Sequence, residues 1–122
     1  MKYVILVRAG SREPEIVSLD ETKSIYTELA RLLNVPLVEV VKTKKMKKLT
    51  EDPETKKFMC MLIDDMGFSR ENPIVNPIGS YLYDGTIVGD ILLATIEMQP
   101  FEHIVDGFDS EEEALKWFNK IK

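Results

Sequence analysis

The stretch from Asn76 to Asp90 constrains this chain more than any other. Asn76-Pro77 reads as a helix N-cap followed by proline at the first helical position. Gly79 comes two residues later, and the turn then hands the backbone to an apolar run, Thr86-Ile87-Val88, that continues through Gly89 and Asp90. Asparagine and glycine placed this way mean that the backbone adopts a shape, or makes an approach, that bulkier residues forbid.

The flanking elements follow from periodicity. Lys2 to Arg8 is β-branched and apolar, with Arg8 stopping the apolar run, and reads as a strand buried on both faces. Ala9 to Glu13 is turn-rich, and Pro14 to Leu19 alternates like a half-buried strand, so the two runs predict a hairpin with Pro14 at a strand start or an edge. Ser18 or Asp20 can cap the next segment, and Ser18 with Glu21 fits a capping box. Ile25, Leu29, Leu32 and Leu33 then form one apolar stripe on a helix from about Glu21 to Leu33, with Asn34 as a left-handed stop and Pro36 forbidding continuation. Leu37 to Val41 is a strand, Phe58 to Ile63 a central strand ending in the turn residues Asp64 to Gly67, Thr86 to Glu97 the longest strand, and Gln99 to Asp106 an edge strand. Ser110 and Glu113 form a second capping box. They precede a last helix that turns Ala114, Leu115, Phe118 and Ile121 to the core, with Trp117 at its border. Residues 42–57 stand apart as a polar insertion, lysine-rich and then mixed, expected to form a long loop or arm. The sum is a single α+β domain over residues 1–122: a mostly antiparallel sheet of about five strands, with two helices packed on one face.

Composition narrows the function classes. A chain of 122 residues buries about two-thirds of its unfolded surface without metals or disulfides. Its net charge of −5 works against general affinity for nucleic acid or anionic membrane, and is too mild for a mimic of DNA. The lone Cys60 cannot form an internal bridge. The first apolar run is shorter than a signal peptide needs, so the expectation is a cytoplasmic protein with no membrane association.

Several of these residues together resemble a family of small domains of unknown function found in bacteriophages, plasmids and their bacterial hosts. The matching pieces are the opening apolar strand, Pro14-Glu15 leading a second strand, Val38-Glu39-Val40, Ile63-Asp64-Asp65, the Asn76-Pro77 step with Leu82-Tyr83, and Ile87-Val88-Gly89-Asp90. The family's usual central motif has alanine where Gly79 or Ser80 stands here, and the basic stretch at Lys42 to Lys48 is outside its pattern. The resemblance implies a mobile-element setting and carries no catalytic residues.

Candidate sites reduce to a few. The N–H groups of Ile78, Gly79 and Ser80 point out of the capped turn and could hold a phosphate or carboxylate, unless Asn76 itself satisfies them. Gly89 marks a bulge or a close approach, with Asp90 capping it or entering a cleft beside Tyr83. Asn76, Gly79, Tyr83, Gly89 and Asp90 are therefore the candidate binding residues. Lys44, Lys45, Lys47 and Lys48 form a basic patch able to grip phosphates or an acidic protein surface; no aromatic residue interleaves with them, so base stacking lacks support. Asp64 or Asp65 with Asp90 could supply metal-binding carboxylates for a hydrolase, but adjacent strand residues face opposite ways. Cys60 sits among apolar residues and His103 stands alone. No nucleophile–base pair and no metal-ligand spacing occurs. The expectation is a non-enzymatic binding or regulatory module without cofactor or metal; its alternatives are a nucleic-acid-binding accessory protein and a metal-dependent hydrolase.

Overall fold

The computed structural model describes every residue from Met1 to Lys122. Six strands, β1 (Tyr3–Val7), β2 (Pro14–Ser18), β3 (Val38–Val41), β4 (Phe58–Asp64), β5 (Ile91–Met98) and β6 (His103–Asp106), form one sheet. Four helices accompany them: α1 (Ile25–Leu33), α2 (Lys44–Thr50), α3 (Pro77–Tyr83) and α4 (Glu111–Asn119). The strand order is β2-β1-β5-β4-β3 and every pairing is antiparallel. β6 pairs with the C-terminal half of β5, on the flank where β1 pairs with the N-terminal half. The bridge Tyr3↔Phe108 joins the chain after β6 to the start of β1. The expected α+β class therefore holds. The sheet has six strands where about five were expected, and four helices where two were expected.

The helices cover both faces of the sheet, not the single face expected. β4 and β5 are apolar without alternation, which is what a strand needs when neither face meets water. On one face Ile5, Val7, Met59, Met61, Ile91 and Leu93 pack against Met46 of α2, Ile78 and Leu82 of α3, and Ala114, Trp117 and Phe118 of α4. On the other, Val4, Leu6, Phe58, Cys60, Leu62, Leu92, Ala94 and Ile96 pack beneath Leu29 of α1. Leu29 is wholly buried, and truncating such a side chain to alanine costs about 2–5 kcal/mol.

Local chemistry sets the boundaries. Asn34 ends α1 in the left-handed region at φ 56°, and Val35 N–H returns to the Ala30 carbonyl. The box expected from Ser18 and Glu21 does not form. α1 begins at Ile25, and the Asp20 N–H is taken instead by the Glu28 carboxylate at 2.8 Å. The lysine-rich stretch is partly helical. Thr43 Oγ1 accepts from Met46 N–H, Met46 is fully buried, and Thr50 Oγ1 both donates to Met46 O and accepts from Met59 N–H, tying α2 to β4. In α4 the core stripe is Ala114, Trp117, Phe118 and Ile121; Leu115 is exposed and Trp117 is buried, the reverse of the expectation for that pair.

Candidate functional site

Asn76 occupies a junction between three backbone segments and is completely buried. Its Oδ1 accepts from the Gly79 N–H at 3.0 Å, the cap that its sequence position predicts. Its Nδ2 donates to the Val7 carbonyl at the end of β1 and to the Gly89 carbonyl, both at 3.0 Å. Its own N–H donates to Ile87 O at 2.8 Å. Two carbonyl partners and one N–H partner fix the orientation of the amide. Every hydrogen-bonding group that faces it is used, so Asn76 is a staple between β1, α3 and the approach to β5.

That approach is a loop leading into β5, and the strand itself begins at Ile91. Gly79 lies against it: a Cβ there would sit 2.9 Å from Ile87 Cγ2 and 3.3 Å from Met61 Sδ. The N–H groups that an anion would need are already used, Gly79 N–H by Asn76 Oδ1 and Ser80 N–H by Asn76 O. Ser80 closes the same contact by accepting from Ile87 N–H at 2.9 Å. Gly89 is demanded by conformation alone: its φ is +82°, and a methyl group there would meet nothing within 4 Å. It is not a bulge inside a strand, as its place in the sequence suggests.

Asp90 carries the chain into β5. Its Oδ1 accepts from Ala9 N–H at 2.8 Å, while Oδ2 lies 3.7 Å from Arg8. Gly89 and Asp90 line a cleft of about 210 Å³ together with Leu33, Val35, Ile74 and Val88. Asp64 and Arg70 line it too, joined by bonds of 2.8 and 3.2 Å. The Arg70 guanidinium holds the Asp64 carboxyl below the ordinary carboxylate range. Tyr83 is not part of this cleft. It is exposed at the far end of α3, so the structure brings Gly89 and Asp90 together and leaves Tyr83 and the buried Asn76 outside.

The four lysines divide. Lys45 Nζ donates to Tyr81 O at 2.7 Å and to Asp84 at 2.8 Å and lies 3.7 Å over the Tyr81 ring, so it caps the C-terminal end of α3. Lys47 lies 3.7 Å from Glu51. Lys44 and Lys48 are exposed one helical turn apart. Asp64 is committed to Arg70, Asp65 is exposed, and no group of three or more His, Cys, Asp or Glu is placed to hold a metal ion. Cys60 is buried in the sheet, and burial pushes its thiol up to about 12. His103 is exposed on β6.

The sequence reading missed an apolar rim. Leu37, Met66, Phe68, Ile74 and Val75 are all at least half exposed. They lie on the loop between β4 and α3 and on the α1–β3 connection, whose Leu37 carbonyl accepts from Asp65 N–H. The signal was present, since apolar residues recur through a loop that has no core of its own to fill. No family model, no curated protein and no solved structure matches this chain.

Proposed function

We propose that the chain is a non-enzymatic binding module for a protein partner, and that its working surface is the end of the sheet where the β4–α3 loop meets the α1–β3 connection. One observation carries this reading: Leu37, Phe68 and Ile74 are exposed by 65%, 67% and 60% on two segments joined by the Asp65–Leu37 hydrogen bond, and Ile74 lines a preformed cleft with Gly89 and Asp90. Large apolar side chains gathered at one end of a small domain mark an interaction surface. The Asn76 junction fixes the Gly89 side of that cleft, which lowers the ordering cost of binding there. A setting in a phage, a plasmid or their host rests on the sequence resemblance alone.

The test is proximity crosslinking in cells with the wild-type chain and with a Phe68→Ser, Ile74→Ser double variant. The expected result is one partner captured by the wild type and lost with the variant, while a Lys44→Gln, Lys48→Gln control retains it. Equal capture by all three refutes the placement of the surface. A purified chain that turns over a substrate, and loses that activity on Asp64→Asn or Asp90→Asn, refutes the non-enzymatic reading. The exposed pair Lys44 and Lys48 favours a second reading, contact with nucleic acid. It requires affinity that falls steeply with salt and vanishes when that pair is neutralised.

A further inference from the structure

The sheet ends on one side in β3, whose outer flank pairs with no other strand. β2, the opposite terminal strand, opens on Pro14, which has no N–H, and is flanked by the Arg8–Glu15 ion pair. Such devices keep an edge from pairing. Within Val38–Val41 β3 has no proline and no bulge, and Glu39 is its one charged residue.

The register shows which of its groups are free. Residues facing each other across an antiparallel ladder alternate between hydrogen-bonded and non-bonded pairs. Leu37 faces Asp65 and accepts its N–H, so the next bonded pair is Glu39 with Ile63 and the one after is Val41 with Met61. Val38 and Val40 therefore direct their N–H and C=O groups away from β4, and no turn, loop or side-chain group bonds to them. Their side chains lean to the α1 face. On that face a groove of about 570 Å³ runs beside the edge, lined by Tyr26, Ala30, Val35, Pro36, Leu37 and Val38. Its one charged wall residue, Arg31, is held by Glu28 at 2.8 Å. Glu39 projects to the opposite face and is exposed.

We infer that β3 takes up an extended segment of a partner protein as a seventh strand, with alternate apolar side chains seated in the α1 groove and a lysine or arginine between them set against Glu39. The inference rests on the binding-module reading, and Val35 lines both the groove and the cleft, so the two surfaces are continuous. Main-chain bonds to Val38 and Val40 supply affinity, and the two faces of the pleat supply selectivity. Charge favours this occupant over a second copy of the chain. Pairing two β3 strands so that Val38 lies opposite Val40 uses all four free groups of each, and sets one Glu39 directly against the other, which is unfavourable.

The test is selection of random linear peptides on the intact protein. The expected consensus is apolar–basic–apolar at alternate positions. Glu39→Lys is expected to weaken a selected peptide about two- to fivefold and to recover the loss when the peptide's basic residue becomes Glu, the range of a cross-strand ion pair. N-methylation of the peptide backbone at the residues facing Val38 or Val40 should abolish binding, which a purely side-chain contact would survive. Peptides insensitive to both changes but weakened by Phe68→Ser, Ile74→Ser would overturn strand addition and leave the binding-module reading standing. Failure to select any peptide, together with failure of the crosslinking test, would remove both. A concentration-dependent dimer by light scattering that Glu39→Gln strengthens would overturn the partner segment in favour of a second copy.

Discussion

Replacing Asn76 separates a staple from an ordinary helix cap. Asn76→Ala deletes the acceptor for the Gly79 N–H and the donors to Val7 O and Gly89 O, three bonds of 3.0 Å around a fully buried side chain. Each backbone group left unsatisfied in a dry site costs about 1–3 kcal/mol. Because the three share one side chain and part of the loss is relieved by local adjustment, the expected total is about 3–5 kcal/mol, a large share of the roughly 5–15 kcal/mol typical of a domain. Asn76→Asp is the sharper variant. At a simple cap asparagine and aspartate are nearly equivalent. Here the aspartate keeps the bond from Gly79 but turns a charged oxygen toward two carbonyls, so it should cost at least as much as alanine near neutral pH. Its carboxyl is then held in the protonated form in the folded state, with a pKa raised above the unfolded value. The deficit relative to wild type should be fully present above that raised pKa, shrink as the pH falls through it, and reach its minimum below about 4, where the unfolded chain is protonated as well. Urea denaturation followed by Trp117 fluorescence measures all three proteins, since this single tryptophan is buried against Phe108. An Asn76→Asp protein within about 1 kcal/mol of wild type at pH 7 would refute the staple.

Three further outcomes are expected. Gly79→Ala and Gly89→Ala should both destabilise by about 1–3 kcal/mol, for opposite reasons. Combining the first with Ile87→Ala should recover part of its loss in urea melts because crowding by Ile87 Cγ2 is the cause, whereas Gly89→Asn should be milder than Gly89→Ala because asparagine tolerates positive φ. The Arg31 guanidinium, helped by the Asp20 N–H, holds the Glu28 carboxyl at about 2 against an ordinary 4.5. Its contribution to stability is present above about pH 4.5 and lost as the pH falls toward 2, so Glu28→Gln should flatten that part of the acid denaturation curve. Cys60 should resist thiol reagents in the native protein and react at the rate of unfolding, as read by colorimetric titration with and without urea.

Legibility in the sequence depended on how local the cause was. The caps at Asn76 and Ser110 and the left-handed stop at Asn34 were readable because each is decided within a few residues. The covering of both faces was readable in principle: Phe58 to Ile63 and Ile91 to Ile96 show no alternation, and a sheet bare on one side would have required it. α2 was hidden by its lysines, although Thr43, Met46 and Leu49 carry the cap and the apolar spacing of a short helix. Trp117 and Leu115 exchanged places because a stripe of Ala114, Phe118 and Ile121 has its centre nearer position 117 than 115. The candidate site was the least legible part. That Ile87 fills the space above Gly79, that Asp90 reaches back to Ala9, and that Val38 and Val40 are the outward residues of an edge are consequences of pairings between distant segments.

The position of β5 has a kinetic consequence. β1 obtains its inner neighbour only when Ile91 to Leu93 arrive, and the Val7 carbonyl obtains its amide partner only when Asn76 does. During synthesis on the ribosome the first hairpin must therefore wait, with one flank open, until most of the sheet has emerged. Such dependence on remote pairings slows folding and leaves a nascent chain exposed to aggregation. Variants that strengthen the β1–β2 hairpin alone should consequently do little for yield, and those that hasten the joining of β4 to β5 should do more.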